Sequence, residues 1–129
     1  MIDMKSHAGT YRKVQVGTAS VPRIVLMLYE AGLTFSGLAR RSTIEGNTKD
    51  AYTHRGNLLA VLSGLMCSLN VESGHAEANS FLFLYQYLSK LVRQTEVGRR
   101  DTTGFDEVLR VMGQLKDAWK KMLAESKTA

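Results

Sequence analysis

The sequence predicts an all-α protein: an antiparallel up-down-up-down four-helix bundle preceded by an extended N-terminal arm. Three observations carry this. Apolar residues recur at spacings of three and four in four separate stretches, as one face of a helix requires. Turn chemistry interrupts the pattern at Glu45-Gly46-Asn47, at Asn70, Ser73 and Gly74, and from Gly98 to Gly104. No stretch shows sustained two-residue alternation, so no sheet is expected. Helices of similar length joined by short links fold back on one another as a bundle.

The elements follow in order. Residues 1–17 carry Gly9 and Gly17, no sustained period, and two apolar anchors, Tyr11 and Val16. They read as a flexible arm, and residues 18–129 as the bundle domain. Ser20 suits a helix N-cap, and Pro22 suits a first turn, where its missing N–H has no helical partner. The first helix then shows Ile24, Leu28, Ala31, Phe35 and Leu38 in a 4-3-4-3 seam. The second runs from about Thr48 to Asn70 with Leu58, Leu62, Leu65 and Leu69 on its seam. The third runs from about His75 to Glu96 with Phe81, Leu84, Leu88 and Leu91. After a polar loop, the fourth runs from about Thr103 to Glu125 with Phe105, Val108, Met112, Leu115, Trp119 and Met122, which puts Trp119 in the core. Gly32, Gly37, Gly56, Gly64 and Gly113 fall inside helices. They mark either close helix–helix approach or a bundle kept deformable, with shallow notches for a partner.

Composition narrows the function classes. A chain of 129 residues with 44% hydrophobic content is one domain with a modest core. The N-terminus shows no secretory h-region and the longest apolar runs are too short to span a bilayer, so a cytoplasmic location and no membrane contact are expected. Cys67 is the single cysteine; inside a helical pattern it reads as an inert, partly buried thiol. The net charge of +5 raises nucleic acid as a partner class, but the cations are dispersed without a long basic run, so a solubilising surface is expected instead.

No nucleophile–base pair, paired acids, metal set or phosphate loop is visible, so neither enzyme activity nor a cofactor is expected. His7, His54 and His75 make no ligand spacing with Cys67. Asp106 and Glu107 suit the positive end of the fourth helix. What remains is a surplus of apolar residues off the seams: Leu26, Tyr29 and Leu33 on the first helix, Leu59 and Met66 with Tyr52 on the second, and Leu82 and Phe83 on the third. Two readings stay open. The surplus either widens the core, or forms an exposed groove that receives another apolar segment, the chain's own arm or a partner helix.

The wording of three blocks resembles one family. Ser68-Leu69, Glu72, Gly74, Ala78 and Leu84-Tyr85-Gln86-Tyr87 look like the central block of the flagellar export chaperones of the flagellin-specific FliS family. Tyr11, Val16, Thr18-Ala19-Ser20 and Leu26-Met27-Leu28-Tyr29 resemble its N-terminal pattern, and Val108, Leu115 and Ala118-Trp119 its C-terminal one. The sequence departs from the family in placing Pro22 one residue later than usual, with Arg23 where an acidic residue is expected.

The resemblance implies a cytosolic chaperone that binds the C-terminal region of flagellin, prevents premature polymerisation and keeps the client fit for flagellar type III secretion. It implies flagellin as partner, with export-apparatus components beyond it, and a monomer or weak homodimer when free. In such a protein Leu26, Tyr29, Leu33, Leu59, Met66, Leu82 and Phe83 would line the client groove, and the arm, through Tyr11 and Val16, would cover part of it. The rivals are another helical adaptor of flagellar assembly and a basic nucleic-acid-binding helical protein.

Overall fold

The computed structural model describes residues 21–69 and 76–128. Four helices and no strand occur among the described residues: α1 (Val21–Ile44), α2 (Thr48–Cys67), α3 (Ala76–Gln94) and α4 (Thr103–Thr128), with a 3₁₀ turn at Val97–Arg99 before α4. The expectations placed on the arm, on Ser20 and on Asn70, Ser73, Gly74 and His75 lie outside the described residues.

Each helix packs on its neighbours in sequence, and α1 closes the ring against α4. Direction follows from pairs at matching ends. Late in α1, Arg40 Nε lies 2.7 Å from Asp106 Oδ1 early in α4. Trp119 Nε1, late in α4, donates to the Pro22 carbonyl early in α1 at 2.7 Å. An Arg55 guanidinium N–H on α2 reaches the Thr95 carbonyl after α3 at 3.1 Å. The arrangement is the expected up-down-up-down four-helix bundle.

Local chemistry sets the corners. Between α1 and α2 the chain turns at Gly46, whose φ of 76° lies in the left-handed region that glycine adopts without a Cβ penalty. Asn47 then caps α2, accepting from the Asp50 N–H at 3.3 Å while its amide donates to the Asp50 carboxylate at 2.8 Å. Between α3 and α4, the Thr95 hydroxyl donates to the Leu91 carbonyl at 2.8 Å and accepts from the Gly104 N–H at 3.1 Å. Asp101 accepts from the Thr103 N–H at 2.9 Å, and its bonds to Thr103 hold its carboxyl below the usual carboxylate range.

The core confirms the seam of α2, where Leu58, Leu62 and Leu65 are buried and Leu69 packs beside them, and the first half of α4, where Phe105, Val108 and Met112 are buried. On α1 the buried seam lies one residue further on than the spacing of large apolar residues indicates; on α3 Leu88 is buried as that spacing indicates, while Tyr85 and Val92 are buried in place of Leu84 and Leu91. On α1 it is Val25, Tyr29, Gly32, Ser36, Ala39 and Thr43, with Leu28, Ala31 and Phe35 only partly buried at its flank. Small residues occupy the middle of this seam because α1 sits close to its neighbours: a Cβ on Gly32 would lie 2.1 Å from Met112 Sδ. Ser36 and Thr43 bury their hydroxyls by donating to the carbonyls of Gly32 and Ala39, each at 2.7 Å, so neither needs a partner from another helix. On α3 the buried set is Tyr85, Leu88, Ser89 and Val92, flanked by Phe81 and Leu84.

Three further expectations change. Trp119 is only partly buried, packed at the edge of the core, because α4 runs past the level at which α1 begins; Met122, one turn on, is 42% exposed. Cys67 is exposed, since it stands two residues and so about 200° around α2 from the buried Leu65. Of the five glycines expected inside helices, only Gly32 marks a tight approach; Gly64 makes ordinary contact with Leu28, and a Cβ on Gly37, Gly56 or Gly113 would meet nothing within 4 Å.

Candidate functional site

In an antiparallel bundle the starts of α1 and α3 share one end with the finishes of α2 and α4. At that end lies a cavity of about 200 Å³. From α1 come Val21, Pro22, Val25 and Tyr29; from the finish of α2 come Ser68 and Leu69. Phe81 and Tyr85 of α3 and Trp119 of α4 complete it. Among the described residues, no charged side chain lines it. Such a lining suits apolar groups.

Its aromatic groups are ordered by contact with one another. Tyr29 meets Trp119 edge-on, with ring centroids 6.1 Å apart and planes at 85°. Phe81 stacks on Tyr85 at 6.1 Å. Tyr29 and Tyr85, each one turn deeper than Val25 and Phe81, reach across the bundle until their hydroxyls meet at 2.7 Å. They form the floor. Burial pushes both phenols above their ordinary value, so both are neutral at physiological pH.

Of the seven residues expected to form a groove, six are buried or partly buried and only Tyr29 lines the cavity. Tyr29 lines the cavity, but at 1% exposure it is part of the core and not of an open face. Leu26 is also buried, at 8%. The reason is the seam shift on α1: once Val25 and Tyr29 face inward, Leu26 turns toward the same side instead of away from it. Leu33, Leu59 and Met66 are partly buried against the core, and Leu82 is partly buried. Phe83 alone of the seven is broadly exposed, at 71%, with Tyr87 one turn on at 48%. Tyr11 and Val16 lie outside the described residues.

Sequence reasoning overlooked Val21, Val25, Phe81 and Tyr85 as parts of one site. The available signal was positional: aromatic and branched residues fall at the starts of α1 and α3 and at the end of α4, and a bundle brings those ends together. Val21 and Leu69, which directly follow residues 1–20 and directly precede residues 70–75 in the sequence, both line the cavity.

Among the described residues, no three His, Cys, Asp or Glu side chains are grouped to hold a metal ion, and no helix is long and apolar enough to cross a membrane. Arg40, Arg99 and Arg110 pair with Asp106, Glu96 and Glu107, which keeps these cations from forming an open basic face.

Comparison with known proteins finds similarity along nearly the whole chain. The flagellar secretion chaperone FliS of Escherichia coli (strain K12) is 28% identical, with 93% of each chain covered. The family model described as flagellar protein FliS matches residues 4–126, and the chain therefore belongs to the FliS family.

Proposed function

We propose that this chain is an export chaperone for flagellin, which holds the C-terminal region of that client in the cytoplasm and delivers it unpolymerised to the flagellar secretion apparatus. The observation that carries the reading is the family match over residues 4–126, together with a relative named as a flagellar secretion chaperone. The cavity supports it. An unfolded amphipathic segment gains apolar burial when its side chains enter a pre-formed aromatic site, and that gain offsets the entropy lost as the segment orders. The exposed Phe83 and Tyr87 offer a second apolar contact on the outer side of α3 along which such a segment continues.

Isothermal calorimetry with the purified C-terminal segment of flagellin tests this. The expected outcome is binding with a negative heat-capacity change, the mark of apolar burial. Val25→Asp at the cavity and Phe83→Asp on the outer face each weaken it, and salt affects it little. No heat of binding to that segment, alongside capture of a different flagellar protein, overturns flagellin as the client.

A further inference from the structure

Among the described residues, one hydrogen-bond donor on the side chains that line the cavity has no acceptor. Four of the residues that line it carry a side-chain donor: Ser68, Tyr29 and Tyr85 a hydroxyl, and Trp119 an indole N–H. Ser68 donates to the Leu65 carbonyl at 2.6 Å. Trp119 donates to the Pro22 carbonyl at 2.7 Å. Among the described residues the two phenols have only each other, at 2.7 Å. One O–H lies between the oxygens, and the second phenol proton has no acceptor among the described residues. Buried polar hydrogens are almost always paired, and leaving one unpaired is costly.

The surroundings decide what can answer it. Ionisation does not remove the surplus proton, because burial favours the neutral phenols. The walls are Val21, Val25, Leu69, Phe81 and Trp119, which favour an apolar occupant. The volume of about 200 Å³ suits a single ring or branched chain, since an apolar cavity of about 150 Å³ takes up benzene.

We infer that the Tyr29–Tyr85 hydroxyl pair is a specificity determinant of the cavity, which selects a client side chain whose body is apolar and which carries an oxygen acceptor for the pair's free proton. The assignment rests on the reading of the cavity as a client subsite. The pair is symmetric in chemistry, and this has a consequence for mutation. Removing either hydroxyl breaks the bond between them but frees the remaining O–H to donate to the occupant. Removing both leaves no donor.

The test uses the full chain and two matched probes, toluene and acetophenone, which differ in the carbonyl acceptor. Affinities are read by ligand-observed NMR. The parent should prefer acceptor-bearing acetophenone by roughly two- to tenfold, the ratio one net hydrogen bond supplies. Tyr29→Phe and Tyr85→Phe should each retain a preference, and the double variant should lose it. Stability should follow another order: each single variant leaves one buried hydroxyl without its partner and is less stable in urea than the double variant. A purely structural pair would move stability without moving the probe ratio. A parent with no preference, or a double variant that keeps it, overturns the inference. Titration with the flagellin segment is run in parallel. If the parent shows the probe preference but does not bind flagellin, the selectivity stands and the proposed client falls. If the parent and the double variant discriminate between the probes as expected, yet the segment binds both equally, the pair is not a determinant for that client and the inference is overturned.

Discussion

Tyr29 and Tyr85 illustrate how one residue type serves two ends. Their rings supply apolar area to the core, at 1% and 2% exposure, and their hydroxyls meet at 2.7 Å where a leucine would leave only carbon. The cost appears at high pH. Both phenols have native values above the 10.0 of a free tyrosine, through burial first and, for Tyr85, through its bond to Tyr29 as well. As pH rises past that value the unfolded chain releases these protons while the native chain keeps them, so unfolding is favoured. The contribution is full below pH 10 and is lost progressively as pH climbs toward the native values. Urea melts between about pH 9 and about pH 11 should show stability falling with pH in the parent and falling less steeply in the Tyr29→Phe/Tyr85→Phe variant. Equal slopes in the two proteins would show that the pair does not couple to folding.

At the scale of elements, the helices are held by how closely their backbones approach, and this differs from one glycine to the next. Gly104, at the start of α4, lies under the end of α3: a Cβ there would stand 2.1 Å from Thr95 Oγ1 and 2.8 Å from the Leu91 carbonyl oxygen. The Thr95 hydroxyl is tied to both partners, and a backbone carbonyl cannot swing aside. Gly104→Ala should therefore destabilise the bundle by about 1–3 kcal/mol, the usual penalty for overpacking. Gly37, in the middle of α1, has open space where a Cβ would go. Gly37→Ala should stabilise by about 0.5–1 kcal/mol through helix propensity alone. Chemical denaturation of the two variants is expected to give opposite signs; a shared sign would contradict the packing described for one of these helices.

For the whole molecule the notable feature is that one end is polar and closed and the other aromatic and hollow. At the closed end Arg40 and Asp106, the Asn47 cap and the Thr95–Gly104 bond tie the corners together. At the other end lies the cavity, lined in part by Val21, which directly follows residues 1–20 in the sequence. Tyr11 stands ten residues from Val21, and an extended chain of that length spans up to about 33 Å, enough to reach back over the site. We propose that the arm, through Tyr11 and Val16, covers the cavity of the free chaperone and that the client displaces it. Competition of this kind lowers apparent affinity by the fraction of molecules that are open. Deleting residues 1–17 should raise flagellin affinity or association rate in calorimetry and stopped flow and make the free protein more prone to associate; Tyr11→Ala should do so more mildly. Weaker binding with unchanged solubility would make the arm part of the client site instead of its lid.

Much of this molecule was determined by sequence alone: four helices, their breaks near Gly46 and Gly98, the seams of α2 and the first half of α4, and the family, which rests on short blocks of wording. These are local properties, set by three-four spacing, by turn residues and by order along the chain. The faces of α1 and α3 were decided only by tertiary structure. Both helices carry large apolar residues on more than one side, so their periodicity is compatible with several seams. The one adopted on α1 runs through Gly32, Ser36 and Ala39, because small residues let α4 and its Met112 come close, and that favours contact over side-chain size. Leu26 and Tyr29 followed that rotation inward. The cavity was equally out of reach of local reasoning, since Val25, Leu69, Tyr85 and Trp119 are far apart in the chain and share a site only once the four helix ends are gathered at one end of the bundle.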